Sequence, residues 1–218
     1  MERSMHGVFL RTFLVLAVGA PAVSAQNECL KDYRMPAVGR WAEYQGRFDA
    51  NKPPHIMRYA VVGEENRGGT PMKWLEMRWE GENKDKNMIY QMLTPGNPAE
   101  MDQVQEIIVK AGDKPAMKMS GMLVGMVRGQ AGKQSAFSNL CEGVTLVGEE
   151  SVTVPAGTFK ALRFHNAKEG GDAWVVPDLP FHLVKFKGKD NEISLLKTGE
   201  GAMSSITEKP QEMPGSSK

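Results

Sequence analysis

Charge of one sign is the first thing this chain lacks: 27 Lys and Arg stand against 26 Asp and Glu in 218 residues. Glu2, Arg3 and Arg11 all fall within the first 25 residues, so the remainder is formally neutral. A nucleic-acid binder shows a basic excess or a basic stripe, and neither is present. No apolar stretch approaches the roughly 20 residues a helix needs to span a bilayer, which argues against an integral membrane protein. Nucleophile grammar is missing too, because no G-x-S-x-G elbow occurs. Gly132-Lys133 fails as a phosphate loop: Val127 stands where the leading glycine belongs and Gln134 where Ser or Thr belongs. His55, His165 and His182 show no H-x-H or H-x-x-x-H spacing, and read as structural histidines rather than metal ligands. These absences argue against an enzyme, and no cofactor is implied.

The ends of the chain are more informative. Arg3 and Arg11 precede an apolar run from Phe13 to Val18, followed by Pro21 and Val23-Ser24-Ala25. Positive charge, a short apolar core and small residues before Gln26 make a secretory signal peptide over residues 1–25. Export to the periplasm as a soluble protein follows as an expectation. Residues 26–203 have the length of one domain. Residues 204–218, rich in Ser, Pro, Glu and Gly, read as a flexible tail. Cys29 and Cys141 are the two cysteines, and in an oxidising compartment a lone pair most often bonds. Free thiols are the alternative. A lipid-modified Cys29 is disfavoured by Gln26-Asn27-Glu28, where a lipoprotein signal places small apolar residues.

Strand signals dominate the rest. Between Val144 and Gly201 four β-rich runs are expected, with Pro155-Ala-Gly157, Lys168-Glu-Gly-Gly171 and Lys189-Asp190-Asn191 as turns. Trp41 to Phe48 alternates, placing Ala42, Tyr44, Gly46 and Phe48 on one side. In Met72 to Glu80, Leu75, Met77 and Trp79 share one face while Trp74, Glu76 and Arg78 share the other. Further strands are expected over His55 to Val62, Met88 to Leu93 and Gln105 to Lys110. The stretch Met117 to Gln134 differs: Met119, Met122, Leu123 and Met126 would lie on one helical face, so a short helix against the sheet is expected there. Gly121, Gly125 and Gly129 weaken it by about 1 kcal/mol each, which demands tertiary support.

Thioethers at Met117, Met119, Met122 and Met126 are soft ligands suited to Cu(I), but methionine is also an adaptable apolar filler. Glu149-Glu150 are adjacent, point to opposite faces in a strand, and read as a solvated turn. Trp41, Trp74, Trp79 and Trp174 all fall on expected strands, where they serve either a core or a pocket wall.

The run Glu150-Ser-Val-Thr-Val-Pro-Ala-Gly-Thr-Phe-Lys-Ala161, then Trp174-Val-Val-Pro-Asp-Leu-Pro180 and Leu183-Val-Lys-Phe186, resembles the C-terminal half of exported bacterial proteins of unknown function. Those look like relatives of the LolA and LolB lipoprotein-carrier fold. The resemblance covers about residues 145 to 207, and the absence of a lipobox separates the chain from the membrane-anchored LolB type. It implies an all-β domain with minor α: a strongly curved antiparallel sheet or unclosed barrel, with one or two short helices on the concave face. It also implies a carrier for an apolar ligand, either a lipid or an acylated peptide. The expected pocket is bordered by Met119, Met122 and Met126, with Trp74, Trp79 or Trp174 in its wall. The alternatives are an envelope assembly or stress factor that binds a protein partner, and a periplasmic copper-binding protein using the methionine cluster.

A bond between Cys29 and Cys141 would close a loop of about 110 residues, worth about 4–5 kcal/mol before strain is subtracted. Intact mass before and after alkylation without reductant is expected to be unchanged. Uptake of two alkyl groups would show free thiols instead.

Overall fold

The structure is a computed structural model that describes residues 34–49, 52–81, 84–95, 103–119, 121, 123–126, 143–167 and 170–213. The signal segment and both cysteines lie outside the described residues. The strands are β1 (Trp41–Arg47), β2 (His55–Arg67), β3 (Thr70–Glu80), β4 (Met88–Thr94), β5 (Glu106–Ala111) and β6 (Met117–Met119). After these come β7 (Val144–Val154), β8 (Gly157–Asn166), β9 (Gly171–Val175), β10 (Leu183–Gly188), β11 (Glu192–Gly199) and β12 (Gln211–Glu212). They form one 12-stranded sheet in the order β12-β6-β5-β4-β3-β2-β1-β11-β10-β9-β8-β7. Two antiparallel meanders, β1 to β6 and β7 to β11, are thus fused by the pairing of β1 with β11. The sheet is open and curved, as the strand alternation and the resemblance lead one to expect. Its last hairpin turns back: β7 lies against β10 and β11, and Ala156 N donates to Leu195 O at 3.1 Å.

Period-two alternation sorts the first meander into two faces. Register places Tyr44 opposite Met57, Met57 opposite Trp79 and Trp79 opposite Met88, so these share what we call the inner face. Leu75, Met92 and Ile107 follow on the same face. One core cluster holds Ala42, Tyr44 and Met57 of the first meander with Val152, Val154, Ala161, Trp174, Val184 and Leu195 of the second. A second holds Met35, Val61, Leu75, Met92, Val104, Ile107 and Val124. Phe181, in the loop between β9 and β10, packs against both clusters and sets its ring 5.8 Å from that of Tyr59. Phe181 and His182 sit at φ of 60° and 59°, a left-handed conformation costly for residues with a Cβ. Backbone bonds from His182 N to Leu179 O and from Val176 N to His182 O hold that turn, so the ring is driven onto the sheet.

Four expectations need correction. The helix expected over Met117 to Gln134 is a strand at Met117–Met119, paired with β5, followed by one helical turn at residues 123–126. The rest of that stretch lies outside the described residues. Met117 and Met119 are two apart and so share a strand face, and Gly121 at φ 57° changes the chain direction before the turn. Glu149 and Glu150 lie within β7 rather than in a turn. The final meander has five strands rather than four, because short β10 follows the loop that carries Phe181.

The fourth correction concerns the chain after Gly199. Residues 200–213 return across the outer face from β11 to the far edge, where β12 pairs parallel with β6. Glu76, on the outer face of β3 and 1% exposed, accepts from Ser205 N at 2.8 Å, Ser205 Oγ at 2.6 Å and Gln91 Nε2 at 2.8 Å. Ile206 sits in a third cluster with Ile108 and Ala116, against Trp74 and Ile89. Glu208 pairs with Lys110. Through residue 213 the segment expected as a loose tail is therefore a strap. A buried carboxylate is tolerated because three donors replace its water. Glu76→Ala strips the acceptor from those donors and is expected to cost about 2–3 kcal/mol in urea unfolding. A change within error of zero would mean that the strap is not held there.

Candidate functional site

At one end of the inner face the covering segments stop short of Trp79. The ring of Phe48 stacks on Trp79 at 5.7 Å and 17°, and His55 tilts against both at 6.3 and 6.2 Å. Trp79 and Phe48 remain 36% and 41% exposed, unusual for large rings that have a sheet to pack on. Below them opens a cleft of about 610 Å³ lined by Lys52, His55, Trp79, Glu80, Gly81, Lys86, Met88 and Tyr90. Strand register builds its floor: Trp79 opposes Met88, and Tyr90 follows two residues on along β4. Gly81 N donates to Asn87 Oδ1 at 3.0 Å, which fixes the turn between β3 and β4. Lys52 and Lys86 put positive charge on the rim, with Glu80 as the single lining carboxylate. An exposed ring beside Met88 and Tyr90, bordered by charged groups, is suited to holding an apolar group with a polar end.

A second cleft, of about 440 Å³, lies in the other meander and is lined by Arg163, His165, Gly170, Gly171, Asp172, Trp174, Lys187, Gly188 and Lys189. Trp174 is nearly buried, flanked by the Arg163 guanidinium at 5.6 Å and the Lys185 ammonium at 5.8 Å, and its indole N–H donates to Glu150. Asp172 accepts from Arg163 Nε at 3.2 Å and lies 3.0 Å from His165 Nδ1. Burial alone would raise the Asp172 pKa. The hydrogen bonds from Arg163 and His165, with their charges, outweigh it and hold the carboxyl below its ordinary range.

Among the described residues, those expected around one pocket fall in different parts of the sheet. Trp74 faces the outer side and packs with the strap cluster, whereas Trp79, five residues on, stands at the mouth of the first cleft. Trp174 belongs to the other meander. Met119 packs into the inner core, Met126 is 59% exposed in the helical turn, and Met122 lies outside the described residues. Sequence reading missed Phe48, His55, Lys52, Lys86, Met88 and Tyr90 as a group. The available signal was alternation: His55, Trp79, Met88 and Tyr90 fall on one face once the strand register is known.

No family model matches the chain, and no curated protein matches it. Among solved structures, a candidate lipoprotein from Parabacteroides distasonis shares 12% identity, covering 76% of this chain and 97% of its own, at a TM-score of 0.36. A candidate exported protein with a YmcC-like fold from Bacteroides fragilis shares 14%, covering 77% and 99%, also at 0.36. Scores this low carry no inference about function. Among the described residues no helix is long and apolar enough to cross a membrane, which leaves β-barrel insertion unaddressed.

A carboxyl with a depressed folded-state pKa contributes stability above its unfolded value and loses it as pH falls through the folded one. Unfolding free energy followed down the acid range is therefore expected to drop more steeply in the parent than in Asp172→Asn. Equal slopes would contradict the ion-pair account of Asp172.

Proposed function

We propose that this is an exported binding protein, not an enzyme, that holds an apolar group such as an acyl chain in the cleft under Phe48 and Trp79. One observation carries the reading: two stacked rings stay exposed on a sheet face whose other large side chains are buried or half-buried. Each methylene removed from water there contributes about 0.8 kcal/mol, so a short length of chain suffices for measurable affinity. Lys52 and Lys86 on the rim favour a ligand whose apolar part ends in an anionic head. The open shape suits a ligand that is held and released rather than sealed in.

A protein partner is the second reading. It is favoured by β7, at the end of the strand order, whose Leu146 and Val147 are 36% and 55% exposed. The two readings separate in one titration. A fluorescent fatty acid is expected to bind saturably, with a change in tryptophan emission that Trp79→Ala removes along with at least about tenfold in affinity. Trp74→Ala is expected to leave affinity unchanged. Absence of binding up to the solubility limit would discard the acyl reading and leave the partner reading.

A further inference from the structure

The second cleft has no part in that function, and its chemistry is different. Its residues come from two adjacent turns: the end of β8 and start of β9, and the end of β10. Register places His165 opposite Asp172, Asp172 opposite Lys187 and Gly171 opposite Gly188. Gly170 leaves its backbone open, with nothing within 4 Å of where a Cβ would stand, whereas a Cβ at Gly171 would meet Lys187 O and the Phe186 ring at 3.2 Å and one at Gly188 would run into the Asn191 side chain. The charge is unevenly spent. Asp172 is committed to Arg163 and His165, and Glu150 also reaches Arg163, at 3.6 Å. Glu192 stands opposite Lys187 in the ladder, yet its carboxylate bonds Lys185 at 3.0 Å. Among the described residues Lys187 and Lys189, both exposed, therefore keep their charge without an ion-pair partner. With Nδ1 turned to Asp172, the His165 ring has its Nε2 left for another group.

We infer that this cleft is an anion site for a phosphoryl group, bound by Lys187 and Lys189 beside the Arg163–Asp172–His165 cluster. Two unspent ammonium charges match a phosphate better than a single carboxylate, because its oxygens can be shared between both lysines at once. Asp172 keeps Arg163 and His165 in place and, with Glu150, takes up the charge of Arg163, so that selectivity rests on the lysines. The open backbone at Gly170 allows close approach. The phosphoryl group belongs either to a soluble phosphate or to a lipid head, and the chemistry of recognition is shared.

The test titrates the full chain with inorganic phosphate by calorimetry, and separately with phosphatidylglycerol vesicles against phosphatidylcholine vesicles. Phosphate is expected to bind saturably, and the pair Lys187→Gln/Lys189→Gln to weaken it by at least about tenfold, the loss of two charge-assisted bonds. Both lysines are exposed, so melting should be unchanged, and circular dichroism checks that the variant is folded. Phosphate binding without vesicle binding assigns a soluble ligand. Vesicle binding that Lys187 and Lys189 control assigns a lipid head. Failure of both probes, or equal binding by the Lys187/Lys189 variant, overturns the proposal and leaves the acyl reading untouched.

Discussion

The pairing of β1 with β11 is the constraint on which the rest of the molecule depends. It joins Trp41 to Gly199 and Arg47 to Glu192, residues far apart in sequence, with one register shift at Glu43 and Tyr44. Without it there would be two meanders, each with a free edge in the middle of what is now one sheet. With it, Ala42, Tyr44 and Leu195 meet in a single core where their exposure falls to 2% or less. Such a contact is slow to form, because long-range loop closure must be completed before burial rewards it. Both the turned-back β7–β8 hairpin and the strap start from positions that this pairing sets.

The strap then solves a second problem. An antiparallel sheet with both faces apolar at one end needs cover on both sides. Inner cover comes from Met35, Val124 and Phe181. Outer cover comes from Ile206, locked by Ser205 on Glu76. At the far edge, β12 pairs with β6 and shortens the exposed ladder. What is left uncovered stands out more clearly for that reason: the Phe48–Trp79 stack on one side, and Lys187 and Lys189 on the other.

Much of the sheet was legible in the sequence, because alternation and turn residues are local signals. Leu75, Met77 and Trp79 share a face as their spacing requires, and the Pro155-Ala-Gly157 turn joins β7 to β8. The strap was not legible. Its composition is that of a tail, and what pins it is a buried carboxylate 129 residues away, which no local pattern reveals. The methionine segment misled for a related reason. Residues 119, 122, 123 and 126 fit a helical period, but residue 119 also stands two from 117, and that pair runs as a strand. The first cleft was half legible: Trp79 was picked out, but its companions depend on register and on where the cover ends.

Methionines spread over the inner face make natural reporters of where a ligand sits. Met88 lines the open cleft, while Met57, Met92 and Met119 pack in the core clusters. With methyl-labelled methionine, a fatty-acid titration followed by NMR reads each position separately. If the cleft under Phe48 and Trp79 is the site, the Met88 methyl resonance moves to saturation while those of Met57, Met92 and Met119 stay in place. Shifts centred on the core methionines, with Met88 unmoved, would place the ligand inside the sheet and contradict the account.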